Sequence, residues 1–171
     1  MTMGDGMSDR DEAFAEYFAA RSGSMRATAY LLCGDWHRAA DLVQTTFTKL
    51  YLRWNKVHRQ ESLDPYVRQV MIRTFIDEGR WGWWRRERPH DTTIERPAAP
   101  GASIEDRLVL LRALAEVPPR QRAVLVLRYW QDLSIEETAT ALGTTTGTVK
   151  SQAARGLATL RAVIGAPVPA E

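Results

Sequence analysis

Apolar residues recur every three or four positions along this chain, and no stretch alternates strictly between apolar and polar. That pattern predicts helices throughout and no strand. Residues 1–8 read as disordered, and Asp9 as the N-cap of a first helix carrying Phe14, Tyr17 and Phe18. Ser22–Ser24 is expected to interrupt it, and a second helix with Met25, Ala29, Tyr30 and Leu32 runs to about Cys33. Gly34-Asp35 is a turn and cap signal. Residues 36–54 then form one long helix, striped by Ala39, Leu42, Val43, Phe47, Leu50, Tyr51 and Trp54. After a polar loop at 57–64, Pro65 suits the first turn of a helix with Tyr66, Val67, Val70, Met71 and Phe75 on its apolar face. The pattern resumes at 104–117 through Leu108, Leu111 and Leu114, and stops at Pro118-Pro119. It restarts over 120–130 with Ala123, Val124, Leu127 and Trp130.

The last apolar block, LSIEETATALGTTTGTVKSQAARGLATLR at 133–161, is the most specific. Ser134 and Glu137 make a capping-box pattern ahead of Ile135, Thr138, Ala139 and Leu142. Gly143 supplies the positive φ that ends a helix. Thr144–Thr146 offer a second cap, after which Val149, Ala153, Leu157 and Leu160 share one face, with Lys150, Ser151, Gln152 and Arg155 largely on others. Two short helices around such a turn are a helix-turn-helix, whose second helix fits the major groove of DNA. Charge agrees: no acid occurs from Thr138 to Ala170, while Lys150, Arg155 and Arg161 are basic. The competing reading is a plain helical bundle with a solvated basic face.

The net charge of +2 changes the picture only by requiring that any nucleic-acid surface be a local cluster. One such cluster is RWGWWRRERPH at 80–90, with four arginines and three tryptophans against the single acid Glu87. Arginine pairs bidentately with phosphate, and Trp or Arg planes stack on unpaired bases. Two readings stand here: capture of an unpaired strand, or tryptophans closing a small core while the arginines reach water. Residues 89–103, with Pro89, Pro97, Pro100 and Gly101, read as a linker.

The single cysteine excludes an internal disulfide and a CxxC metal site, and its apolar setting favours a structural thiol over a redox switch. His37, His58 and His90 are scattered without metal-ligand spacing. There is neither a P-loop nor GxSxG, so no enzyme chemistry and no cofactor is expected. The acidic N-terminal stretch has no apolar run, and no segment has the length of a membrane helix, so a cytoplasmic protein is expected.

Taken in order, ADLVQTTFTKLYLRW, YVRQVMIRTFIDEGRWGWWRRERP, a Pro-containing linker, VPPRQRAVLVLRYWQDLSIEETATALG and TTTGTVKSQAARGLATLR resemble the extracytoplasmic-function (group IV) RNA polymerase sigma factors, specifically the actinobacterial SigE-like family. The resemblance implies an all-α chain of two small helical domains joined by a flexible linker. These are a region 2 bundle at 9–88 and a region 4 helix-turn-helix at 104–165, with the linker at 89–103. It implies that region 2 binds the β′ clamp helices of the polymerase core through Asp41, Leu42, Gln44, Phe47 and Tyr51. Region 2 would also melt and read the minus-ten element with the helix 66–88, through Arg73, Thr74, Asp77, Arg80, Arg85 and Arg86. Many members carry Asn where this chain has Arg73. Region 4 would bind the minus-35 duplex through Thr148, Lys150, Ser151, Gln152 and Arg155, and contact the β flap. An inhibitory anti-sigma partner belongs to the same implication. The alternative is a LuxR-like helix-turn-helix regulator that binds DNA without joining the polymerase, which leaves ADLVQTTF and the Trp/Arg segment without a task.

Overall fold

A computed structural model describes residues 5–82 and 103–165, and those residues form helices α1 (Asp5–Cys33), α2 (Trp36–Val57), α3 (Asp64–Gly82), α4 (Ile104–Glu116), α5 (Pro119–Leu125), α6 (Ile135–Leu142) and α7 (Thr146–Gly165). Among the described residues there is no strand. The linker at 89–103 lies outside them except for Ser103, as do Arg85 and Arg86 and the side chain of Arg80.

α1 is one helix rather than two, and its backbone is helical from Asp5, ahead of the expected cap at Asp9. The Ser22–Ser24 break does not occur. Ser24 Oγ donates to the Arg21 carbonyl at 3.0 Å and Thr28 Oγ1 to the Ser24 carbonyl at 3.2 Å. These hydroxyls thus bond back along the helix instead of capping a new one. Packing on α2 offsets the propensity cost of Gly23, about 1 kcal/mol. The helix ends where expected: Gly34 takes φ 71°, its N–H donating to Tyr30 at 2.7 Å. Asp35 then caps α2, its carboxylate accepting from Arg38 N–H at 3.0 Å. Tyr30 and Trp36 stack across the turn, 4.0 Å between ring centroids.

α1, α2 and α3 form the N-terminal bundle. Ala39, Leu42 and Leu50 of α2 are wholly buried, as is Ile72 of α3. Leucine and isoleucine side chains stabilise by about 1.5–3 kcal/mol each on burial. Phe14 meets Phe47, Tyr51 and Trp54 edge to face. The start of α3 is tied to α1 through Asp64, which accepts from Tyr17 Oη at 2.9 Å and pairs with Arg21 at 2.8 Å. Burial and that carboxylate together raise the Tyr17 phenol well above its ordinary range. Burial likewise pushes the thiol of the half-buried Cys33 up to about 12, so it is un-ionised at neutral pH, in keeping with the structural reading.

α4–α7 form the C-terminal unit. Ser103 caps α4 in a capping box with Asp106. α5 starts with Pro119 and continues into a widened turn, Val126–Trp130, where Gln131 N–H donates to the Val126 carbonyl at 3.0 Å. That widening rotates the end of the segment outward. Trp130, expected on the apolar face, is 51% exposed, whereas Leu127 is fully buried.

The two units are not held apart. Ala123, Val126, Leu127, Leu133 and Ala141 join the apolar core of the N-terminal bundle. α3 lies against α5 and α6, and α1 against α4 and α5.

Candidate nucleic-acid interface

The α6–turn–α7 unit follows its sequence closely, because its determinants are local. Ser134 Oγ accepts from Glu137 N–H at 3.0 Å, and the Glu137 carboxylate accepts from Ser134 N–H at 2.7 Å. Those bonds hold the Glu137 carboxyl below its usual range. Gly143 sits at φ 63°, ψ 41°. Its N–H reaches Thr140 at 3.2 Å and the Thr144 N–H reaches Ala139 at 3.0 Å, the paired bonds of a Schellman stop. Thr145 Oγ1 accepts from Thr148 N–H at 3.1 Å and caps α7. Ala139, Val149 and Val124 close the angle between the helices. At Gly156 an added Cβ would stand 2.9 Å from Leu125 Cδ1 and 3.1 Å from its Cγ, so a larger residue here forces the buried Leu125 side chain to shift.

With α7 so fixed, Lys150, Ser151 and Arg155 are exposed on its outer side, and Thr148 and Gln152 are half-buried. Nothing acidic shares α7. Positive charge on the first turns of a helix that follows a rigid turn is the arrangement that contacts phosphates and base edges in a major groove.

On α3, Arg73 and Asp77 are exposed, while Thr74 is buried and accepts from Lys49 Nζ at 2.9 Å. Thr74 therefore faces α2 and not a ligand, because a residue one position from Arg73 on a helix looks along a different face. Arg73, Asp77 and Ile76 line one wall of a cleft of about 150 Å³. Thr148, Gln152 and Val149 of α7, with Arg120, line the other. The structure thus brings together residues of the two expected DNA surfaces.

Of the expected polymerase contacts, Asp41 and Gln44 are exposed. Leu42 is wholly buried and belongs to the bundle core, a correction that follows from its place on the apolar stripe. Gln44, Phe47 and Tyr51 line a groove of about 660 Å³ between α1 and α2, together with Phe14, Phe18 and Val43. Phe47 is 4% exposed and forms its floor, and Phe18, 44% exposed, its rim. Phe14 and Phe18 were legible only as core positions, since a groove between two helices has no signature in either.

Arg122 is the residue sequence reasoning missed most clearly. Its guanidinium donates to the carbonyls of Ala115 (2.9 Å) and Val117 (2.8 Å) in its own unit and of Leu32 (2.6 Å) in the other. Burial lowers its pKa to about 10, leaving it charged at neutral pH. One of two arginines in PPRQR carries no signal for such a role.

Comparison with known proteins agrees with this architecture. A model of Sigma-70 region 2 matches residues 18–88, and one of Sigma-70, region 4, matches residues 107–160. The RNA polymerase sigma-E factor of Streptomyces avermitilis is 39% identical over 155 residues, covering 86% of this chain and 83% of that one. The sigma-E factor of Streptomyces coelicolor is 39% identical over 153 residues, covering 86% and 84%. Among solved structures, the sigma factor RpoE of Bartonella quintana, in complex with the anti-sigma factor NepR, superposes with a TM-score of 0.68 at 21% identity. That match covers 91% of this chain and 98% of RpoE. CnrH, in complex with the cytosolic domain of CnrY, gives 0.65 at 20% identity, covering 92% and 91%. The match at 18–88 removes the case for a helix-turn-helix regulator acting alone. With both regions matched in order and relatives aligned along most of their length, the chain belongs to the sigma-70 family, as an RNA polymerase sigma factor of the extracytoplasmic-function group.

Proposed function

We propose that this sigma factor grips one promoter at two places, paired at the minus-35 element and unwound at the minus-ten element, while bound to core polymerase. Lys150, Ser151 and Arg155, with Thr148 and Gln152 beside them, read the duplex. A good bidentate pair to a base discriminates by about 1–3 kcal/mol. Arg73 and Asp77, with Arg80, Arg85 and Arg86 further along the chain, take the displaced strand. Opening is driven by binding energy, and no catalytic step belongs to the chain. The β′ clamp helices dock on α2 at Asp41, Gln44, Phe47 and Tyr51, the β flap meets region 4, and the cytoplasm is where this work is done. An anti-sigma partner belongs to the reading, supported by the fold-level likeness to RpoE, which was solved with the anti-sigma factor NepR.

The observation that carries the reading is the capped α6–turn–α7 unit with its exposed basic side chains. Run-off transcription with bacterial core polymerase tests it: specific initiation is expected only when this chain is added. Arg155→Ala is expected to weaken holoenzyme binding to promoter DNA several-fold, and unchanged affinity removes Arg155 from the site. Affinity is also expected to fall with added salt, about 0.9 counterion being released per duplex phosphate neutralised.

A further inference from the structure

Between Asp41 and Glu61 the chain carries Lys49, Arg53, Lys56 and Arg59 and no acid. The first three recur at i, i+4 and i+7, so they form one row along α2, and all three are exposed. Among the described residues no carboxylate pairs with any of them. The helix dipole accounts for a cation in the last turn, where Lys56 stands, but its reach ends short of Lys49 and Arg53. Nor is Lys49 simply solvated. Its ammonium donates to the buried Thr74 hydroxyl of α3 at 2.9 Å, a bond that costs rotamer freedom which a free lysine keeps. That bond also shows which way the row faces: toward the seam between α2 and α3.

The opposite bank of that seam is a second row, Tyr66, Val70, Arg73 and Asp77, spaced at i, i+4, i+7 and i+11 along α3. Val70 and Asp77 are the i−4 and i+3 neighbours of Thr74, so this row borders the seam. Tyr66 and Val70 are half-buried, Arg73 and Asp77 exposed. The short connection 58–63 turns α3 back along α2, so with Lys49 level with Thr74, Arg53 and Lys56 lie toward the Val70 and Tyr66 end. Cations on one bank, with an aromatic and an apolar residue on the other, are what an unpaired strand requires, its phosphates on the first and its bases on the second. The Asp77 carboxylate repels phosphate from its own bank and so turns the backbone toward α2. We propose that Lys49, Arg53 and Lys56 carry backbone phosphates of the opened minus-ten strand, and that Thr74 is a positioning residue that holds Lys49 for this contact. The inference rests on the reading of α3 as the minus-ten face and adds to it the helix alongside. Lys49 stands about 140–160° around α2 from Gln44 and Tyr51, so strand and polymerase take different sides of one helix.

A promoter from which this chain initiates in run-off transcription supplies the probe, a labelled duplex whose minus-ten segment is held open by mismatches. Holoenzyme assembled from core polymerase and the full chain is titrated onto it at several salt concentrations and followed by fluorescence anisotropy. Lys49→Met keeps the length of the side chain and removes its charge. It is expected to weaken binding about fivefold and to flatten the log–log salt slope by about 0.7, the share of one single-strand phosphate. Thr74→Val keeps the buried shape and removes the acceptor. About a twofold loss is expected from it in the native background and none beside Lys49→Met, while Thr74→Ser should bind as the parent does. Unchanged affinity and slope for Lys49→Met, in a chain that folds by circular dichroism, overturns the contact. A Thr74→Val loss that persists in full beside Lys49→Met sinks the positioning role, because a packing defect does not depend on the lysine. A Lys49→Met chain that loses affinity for core polymerase and not for the probe also overturns the proposal. If the parent neither initiates nor prefers the opened duplex to the closed one, the minus-ten reading has failed and the row falls with it. A parent that distinguishes the two duplexes while Lys49→Met matches it in every respect removes the row alone.

Discussion

The N-terminal bundle is filled by rings, Phe14, Phe47 and Trp54 meeting edge to face around the long aliphatic side chains Leu42, Leu50 and Ile72. The C-terminal unit instead has two small clusters, Leu114, Val117 and Leu125 in one and Val124, Ala139 and Val149 in the other, with the bare backbone of Gly156 against Leu125. Others of its buried residues, Val126, Leu127 and Leu133 among them, join the bundle's core. One region thus has an apolar interior of its own, while the other borrows part of its interior from its neighbour.

The largest expected effect comes from Leu50→Ala, which empties a fully buried site at the centre of the bundle. A loss of about 2–5 kcal/mol is expected, read from urea unfolding followed by circular dichroism. Because α5 and α6 lean on α3, the C-terminal unit should lose part of its protection in the same transition. Hydrogen exchange in α7 that is indifferent to Leu50→Ala would show that the borrowed core contributes nothing.

Gly156→Val probes the other side. Its branched side chain meets Leu125 where even a Cβ would stand at 2.9 Å, and such overpacking costs about 1–3 kcal/mol. The expected result is loosened α5 and α7 with the bundle left near its original stability. If both regions lose stability equally, they are one cooperative body and the contrast between them falls.

How much of this could be read from the chain divides along the same line. The α6–turn–α7 unit was legible to the residue, since Ser134, Glu137 and Gly143 act within one turn of where they stand. So was the cap at Asp35, while the starts of α3 at Asp64 and of α5 at Pro119 fell one residue ahead of those expected. Ser22–Ser24 misled because a cap signal is only a local preference, and packing along the whole length of α2 outweighs it. Trp130 misled because one extra residue in the turn before it shifts every later position around the axis. Leu42 was taken for a contact and Arg122 was not noticed at all, and both depend on what lies across from them in space. The junction of the two regions is the extreme case: every bond in it joins residues far apart in sequence, where periodicity carries no information.

The smallest effect tests the local end of that contrast. Ser134→Ala removes the hydroxyl that accepts from Glu137 N–H, and a loss of about 1 kcal/mol is expected. Glu137 completes the same cap with its carboxylate, which bonds the Ser134 N–H and is held below its ordinary range by doing so. A carboxyl whose folded pKa lies below its unfolded value adds stability that is fully present above the unfolded value, about 4.3 for glutamate. That stability is lost as the pH falls through the folded value. Glu137→Gln cannot titrate, so the difference in stability between it and the parent chain should shrink from pH 7 toward pH 3 and not reverse. A difference that stays constant across that range would mean the carboxylate contributes nothing by its charge, and the cap would then rest on the serine alone. Either way the change should be greatest in the first turn of α6, where both cap bonds lie.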